Sequence, residues 1–531
     1  MIDGKTGLFM AMDQADQGSG DNLMVVHNQQ PTKMDNRLVT INALPDDVLY
    51  LIFAFHRRIF APGYPSPITI WKWHRFAHVC RRWRRVIFAS PRHLKLGLVI
   101  TGGRHRTTFD SGCWPPLPIY IWTQTDSADD LTSPDVVAAL KHSDRIHKIS
   151  IKVSTWMFIK STSWVENSFP ALERLSLASE SHLDTIVLPT GFLMGGSDAP
   201  PRRLRSISLR NVCFPHWLIQ SSCDLVSLNF DLIRFDRASS PSVKALVAAL
   251  SETHRLESLC VNPDIFRPRY PDQRSTRRSS ITKNRVVLRA LATFDFDGPS
   301  GYLEKLVSRI DAPILRHLKV SFSQRVFDLP QLSQFVSRMK NMNSLPHGLS
   351  IGFYDEGLFI KHCFRHSDSP PPRKTSFSLE LSIKGRRAAH RWTAARDWTA
   401  SQVLHICGQL SPFTSSVERL WIAIRLTSDG EEGTERWLQL LGAFRGVRDL
   451  HLFCWYWHRD PALCMERALE ESTKRETAQE LFPVLRVIQM NETRRQAWDN
   501  HGIAAFVDAR RSTGRPLVVC GGPGSVQKPE D

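Results

Sequence analysis

One short pattern recurs along most of this chain: apolar-x-x-apolar-x-apolar. It stands at Ile146/Ile149/Ile151, Leu172/Leu175/Leu177, Leu204/Ile207/Leu209, Leu225/Leu228/Phe230 and Leu256/Leu259/Val261. It returns at Leu291/Phe294/Phe296, Leu315/Leu318/Val320, Val417/Leu420/Ile422, Val447/Leu450/Leu452 and Leu485/Ile488/Met490. The last two apolar positions of each instance lie two residues apart, so in an extended strand they share one face. So short a unit cannot bury that face by itself, whereas stacking on its neighbours buries a continuous core. Early instances follow one another at roughly 21–32 residues, which gives each strand a helical or irregular segment before it. A plain α/β domain with amphipathic strands is the alternative, and the number of instances favours the array.

Strand-bearing units of this length resemble leucine-rich repeats, which run about 20–29 residues and close on Asn or Cys. Here the intervals drift and the closing Asn is absent, so the likeness is to an irregular array. Phe169-Pro170 and Phe482-Pro483 precede two of the motifs. Arg-, Ser- and Pro-rich stretches at 263–284 and 367–374 read as exposed loops inserted into it. Upstream, Leu94–Ile100 and Trp114–Trp122 read as strands. Ser133-Pro134-Asp135 reads as a capped helix start that runs on through Leu140.

A second constraint sits nearer the N-terminus. In Ile41–Phe55, Pro45 suits a first helical position, and Asp46 and Asp47 suit the positive end of the helix dipole. The helix they open carries Val48, Leu49, Leu51, Ile52, Phe53 and Phe55 and is apolar nearly all round, so it must be covered on every side. About fifty residues bury too little surface to cover both faces, which leaves one face for a partner protein. A second helix is expected from Ile70 to Phe88, with Trp73, Phe76, Val79, Cys80, Trp83 and Ile87 on one side and Arg81, Arg82, Arg84 and Arg85 largely on the other. Ser90-Pro91 ends it.

Leu44-Pro45-x-Asp47-Val48-Leu49-x-x-Ile52-Phe53, then Phe76-x-x-Val79-Cys80-x-x-Trp83-x-x-Val86, resembles the F-box. That module docks substrate receptors onto the Skp adaptor of cullin–RING ubiquitin ligases. The link from Arg57 to Ile70, with Pro62, Gly63, Pro65 and Pro67, is longer than the turn most F-boxes use. Residues 41–122 look like the fungal group of F-box proteins with irregular repeats. The resemblance implies an adaptor-binding set of Leu44, Pro45, Val48, Leu49, Ile52, Phe53, Val79, Cys80 and Trp83, with Pro45, Leu49 and Ile52 turned to the adaptor. It also implies the adaptor, a cullin–RING ligase and an unidentified target protein as partners.

The 531 residues carry a formal net charge of +17, which raises nucleic acid, chromatin or an anionic membrane as partners. The cations are dispersed, with modest clusters at 81–85, 274–289 and 384–391, and dispersed charge is the mark of a solvated surface. The ten cysteines lie far apart with no C-x-x-C pair, so neither a disulfide framework nor a zinc site is expected. His362-Cys363-x-x-His366 reads as a surface loop, and Phe453, Trp455 and Trp457 as one face of a strand. Gly-x-Gly-x-x-Gly, Gly-x-Ser-x-Gly and His-Glu-x-x-His are absent, and Glu431-Glu432 sits in a Gly-flanked turn.

The expected fold is therefore α/β. A flexible arm (1–40) leads into a three-helix F-box-like module (41–92) and connecting strands and a helix (93–144). An irregular leucine-rich-repeat-like curved solenoid (145–512) and a flexible tail (513–531) follow. The expected function is non-enzymatic and without cofactor, as the substrate receptor of such a ligase, soluble in the cytoplasm or nucleus without a membrane span. A basic nucleic-acid or chromatin binder is the rival reading.

Overall fold

The computed structural model describes residues 41–59, 73–89, 96–101, 116–123, 133–153, 167–179, 203–213, 215–232, 242–263, 285–322, 328–339, 348–354, 357–362, 378–384, 400–409, 417–424, 432–454, 460–474, 481–490 and 501–521, with Leu94, residues 186–188, Phe192 and Leu193. The 1–40 arm, most of the 57–70 link, the loops 264–284 and 367–374, Trp455, Trp457 and the Cys363–His366 part of the histidine motif lie outside them.

One sheet of sixteen strands runs through the chain. It begins with β1 (Leu98–Thr101), β2 (Ile119–Thr123), β3 (Ile146–Val153), β4 (Arg174–Ser179), β5 (Ser206–Arg210), β6 (Ser227–Leu232) and β7 (Ser258–Pro263), each parallel to the next. A side pair, β8 (Val286–Val287) with β10 (Ile310–Asp311), stands apart. The main sheet continues with β9 (Thr293–Gly298) and β11 (His317–Phe322). It ends with β15 (Arg419–Ile424), β16 (Asp449–Cys454), β17 (Val487–Met490) and β18 (Val518–Gly521), again parallel.

All ten instances of the sequence pattern are strands of this sheet, or lead directly into them. The three apolar residues of every instance are buried. Register explains why the pattern is so regular. Leu228 pairs with Leu259, and Phe230 with Val261, so apolar positions stack in rows from strand to strand. One residue of slip would turn each row to the open face. Helices cover the apolar side: α5 (His216–Gln220), α6 (Val243–Leu250), α7 (Ser300–Val307) and α8 (Pro330–Ser337) supply Leu218, Leu246, Leu303 and Phe335 to the same core. Later helices, α9 (Ala400–Gln409), α10 (Glu432–Gly442), α11 (Asp460–Lys474) and α12 (His501–Ser512), do likewise through Ile406, Leu440, Leu469 and Phe506. A mixed α/β chain with a parallel sheet of stacked strand units results, consistent with a leucine-rich-repeat-like solenoid.

Three features depart from expectation. The sheet holds a hairpin that the pattern does not announce: β12 (Gly348–Tyr354), β13 (Gly357–His362) and β14 (Ser378–Lys384). Strand β14 pairs parallel with β11 and β12 with β15, and β13 lies antiparallel between β12 and β14. Two strands are thereby inserted without a described helix of their own. The array also overruns both assigned boundaries. Strands β1 and β2 already belong to its sheet, and β18 adds a last strand inside the segment assigned to a flexible tail. Finally, an Asn ends one strand, one residue before the motif's closing position, which Val212 holds. Asn211 follows β5 at φ 54°, buried, and its amide donates to the Ser179 carbonyl at 3.4 Å. Asn is among the residues that tolerate this left-handed conformation.

The expected helix Pro134–Leu140 is α4, and Ser133 caps it by accepting from the Val136 amide at 3.3 Å.

Candidate functional site

Two surfaces stand out. The first belongs to the N-terminal helices α1 (Asp46–Ile59), α2 (Trp73–Ala77) and α3 (Arg81–Ala89). The expected single helix from Ile70 to Phe88 is two helices, broken at His78 and Val79. Cys80 opens the second: its carbonyl accepts from the Arg84 amide, and its sulfur from the Trp83 amide at 3.4 Å. The arginines are structural as well as solvated. Arg82 pairs with Asp46 at 2.7 Å and donates to the Leu44 carbonyl, tying α3 to the start of α1. Arg85 reaches the same carboxylate at 3.6 Å, and Arg84 donates to the Ala77 carbonyl at 2.9 Å.

Helix α1 divides its apolar residues between two stripes. Leu49 and Phe53, four apart, face inward and are buried. Phe53 meets Trp83 edge-on with ring centroids 5.0 Å apart and Phe76 at 5.3 Å. Val48, Leu51, Ile52 and Phe55, at i, i+3, i+4 and i+7, form the other stripe. Val48 is half-buried, Ile52 is exposed, and Leu51 and Phe55 are 63% and 66% exposed.

The residues assigned to adaptor binding thus separate. Pro45, Ile52 and Val79 are exposed. Leu44, Val48 and Cys80 are half-buried. Leu49, Phe53 and Trp83 are core, and Leu49, at 0% exposure, has no surface to offer a partner in this conformation. Leu51 and Phe55 were not in the set. Their signal was the second i, i+3, i+4, i+7 stripe, legible once Leu49 and Phe53 are assigned inward.

The second surface is the sheet face opposite the helices. Residues alternating with the buried rows stand on it, and most are polar. Arg210 pairs with Asp231 at 3.5 Å, Lys319 with Glu380 at 3.4 Å, and Arg419 with Asp449 at 2.9 Å. Asn262 donates to Asp231 at 2.7 Å, and the Ser321 and Ser382 hydroxyls lie 2.7 Å apart. Towards the C-terminal end Trp421 and His451, direct cross-strand partners, stack with centroids 4.7 Å apart. Burial and the surrounding carboxylates of Asp295, Asp231 and Asp297 push the Cys260 thiol up to about 11. That removes the thiolate a nucleophile or metal ligand needs at neutral pH. Among the described residues no group of three His, Cys, Asp or Glu side chains is placed to hold a metal ion. None of the described helices is long and apolar enough to cross a membrane.

No protein-family model matches the chain, and no curated protein matches it. Among solved structures it is similar to the leucine-rich repeat-containing protein LegL7 from Legionella pneumophila, at 12% identity and a TM-score of 0.25. That match covers 62% of this chain and 87% of the other.

Proposed function

We propose that this chain is a protein-binding receptor in which the α1 stripe docks an adaptor and the open sheet face holds a target protein. The adaptor is of the Skp type and the assembly a cullin–RING ubiquitin ligase. The chain makes or breaks no bond in this reading; it holds a target near the ligase and so raises its effective concentration.

The observation that carries the reading is the outer stripe of α1. Leu51 and Phe55 expose large apolar side chains next to Ile52, on a helix whose inner stripe already fills the module's own core. Contiguous apolar exposure on a soluble chain marks an interaction site. The F-box-like residues around it are what favour a Skp-type adaptor in this reading. The rival reading, a nucleic-acid binder, rests on the net charge of +17. Over most of its length the open sheet face does not favour it, because Arg210, Lys319 and Arg419 are each matched by a carboxylate.

The test is a pull-down of the full chain with purified Skp adaptor, beside the Phe55→Asp and Leu51→Asp variants. Each should weaken binding at least roughly tenfold, since each removes about 1.5 kcal/mol or more of apolar burial and sets a charge in the interface. Thermal unfolding should be unchanged in both. Binding undiminished in both variants would refute the docking assignment.

A further inference from the structure

Among the described residues of the open sheet face, Arg210, Lys319 and Arg419 each pair with a carboxylate, and two other places carry charge that no such pair matches. Lys148 on β3 and Arg174 on β4 are direct cross-strand partners, two cations side by side. Among the described residues neither has a carboxylate within ion-pair reach, and like charges directly opposite are destabilising in a sheet. Lys148 is half-buried, and its ammonium is held below its ordinary value first by burial and then by Arg174. The second such place is Asp295 on β9. Its direct cross-strand partner Lys319 is shared with Glu380, so one cation faces two carboxylates, and burial raises the Asp295 carboxyl above the usual carboxylate range against the pull of Lys319 and His317.

The floor between these places is small and uncharged in two rows. Arg174 is followed in register by Ser206, Ser227 and Ser258, and the adjacent row runs Ser208, Asn229, Cys260 to Asp295. Four strand spacings separate β4 from β9, which at about 4.8 Å each is roughly 20 Å along the sheet. An extended polypeptide spans that distance in about six residues.

Resting on the target-binding half of the function proposed above, we propose a specificity for this face. It takes an extended, protein-borne segment that sets carboxylates over Lys148 and Arg174 and a basic side chain over Asp295, about six residues apart. Such a segment supplies the counter-charges that this face lacks. Arg174 offers a fork suited to a carboxylate, and Lys148 a point charge beside it. Because the two ends carry opposite sign, the pattern also fixes which end of the segment lies where. Electrostatic matching of this kind acts chiefly on specificity and on association rate.

The experiment uses the full chain and three fluorescent peptides of equal length: Asp-Asp, six Ser/Gly residues and Lys-Lys; the same composition with charges interleaved; and an all-acidic peptide. At low salt the block peptide should bind saturably, and the interleaved one at least tenfold more weakly. Arg174→Glu, at an exposed site where folding is not at risk, should weaken the block peptide at least tenfold. Asp295→Lys should shift preference towards the all-acidic peptide. Equal binding of block and interleaved peptides, or an unaffected Arg174→Glu variant, overturns the proposal. So does displacement of the block peptide by an unstructured oligonucleotide with greater affinity, which would assign the cations to nucleic acid. Adaptor binding through Leu51 and Phe55 is measured on the same samples. If it persists while peptide binding fails, the charge pattern alone is refuted; if both fail, the receptor reading falls with it.

Discussion

The guanidinium of Arg510 donates through Nη1 to the carbonyl of Phe482 at 3.2 Å, reaching from α12 back to the turn that precedes β17. Through Nη2 it also meets the Pro483 and Leu485 carbonyls, each at 3.4 Å. Phe482 itself sits at φ 50°, an uncommon conformation for a bulky residue, inside the turn these bonds hold. The same device recurs. Arg338 donates to the Val307 carbonyl at 3.3 Å and to the Asp311 carboxylate at 2.6 Å, and Arg145 to the Leu117 carbonyl at 2.9 Å. In each case an arginine about one repeat later in the chain satisfies carbonyls left over at a helix end or ahead of a strand. Some of the chain's positive charge is therefore structural.

Arg510→Ala should cost about 3 kcal/mol, because buried carbonyls lose a charged donor and the side chain's packing on Phe506 is lost with it. Arg510→Lys should recover only part, since one ammonium cannot span three carbonyls. Urea unfolding followed by circular dichroism reads both, and a midpoint unchanged in Arg510→Ala would show that the bonds contribute nothing.

Glu304 on α7 caps the next helix. Its carboxylate accepts from the Gln331 and Leu332 amides at 2.8 and 2.9 Å at the start of α8. Burial nevertheless raises its pKa from the ordinary 4.5, against the lowering by those two amides and with a smaller push from Asp328. An acid whose folded pKa exceeds its unfolded value holds more proton in the folded state between the two values. Stability therefore falls as pH rises through that window and is flat on either side of it. The difference in urea midpoint, wild type minus Glu304→Gln, should fall as the pH rises from about 4 to 7, since the other titrating groups cancel in it. The opposite slope would mean that the two amide bonds outweigh burial.

What was legible in the sequence was whatever repeats. The apolar rows follow from side chains alternating across a strand, and every such instance became a buried row. The β12–β14 hairpin was not legible, because Leu349/Ile351/Phe353 and Leu379/Leu381/Ile383 alternate but lack the apolar residue three positions ahead that opens the other units, where Pro346 and Ser376 stand instead. The final strand was hidden behind Gly514 and Pro516, which read as tail punctuation although the following Val518 and Val519 pair with β17. At the candidate adaptor site, composition showed that α1 is apolar on two sides. It could not show which stripe turns inward, because Phe76 and Trp83, which decide it, lie more than twenty residues further along the chain than Phe53. The open-face charges were invisible for a related reason: Lys148 and Arg174 become neighbours only through strand register.

The cysteines offer a chemical check of burial. Cys407 on α9 is fully enclosed and its thiol is pushed up to about 12, whereas Cys223 is exposed. Since the thiolate is the reacting form, iodoacetamide at about pH 8 should modify Cys223 first and Cys260 at least tenfold more slowly. Cys407 should be modified only when the chain unfolds. Peptide mapping by mass spectrometry resolves the order, and early modification of Cys407 would contradict the packing of α9 on the sheet.

The two stripes of α1 make the most discriminating pair of substitutions. Leu49 is packed with Phe53, Trp83, Val86 and Ile87 in one core that also takes in Leu94, Leu96 and Leu117 from the first connecting segment. Leu49→Ala removes buried methyl groups and leaves a cavity, at a cost of about 2–5 kcal/mol. Phe55→Ser changes an exposed side chain and should move stability by no more than about 0.5 kcal/mol. If the outer stripe is the docking face, the order reverses for adaptor binding measured on folded protein: Phe55→Ser weakens it directly, while the folded fraction of Leu49→Ala binds as the wild type does. Denaturant unfolding beside titration calorimetry with the Skp adaptor separates the two effects. A Leu49→Ala protein that unfolds at the wild-type midpoint yet no longer binds would place Leu49 at the interface and reverse the inward and outward assignment of α1.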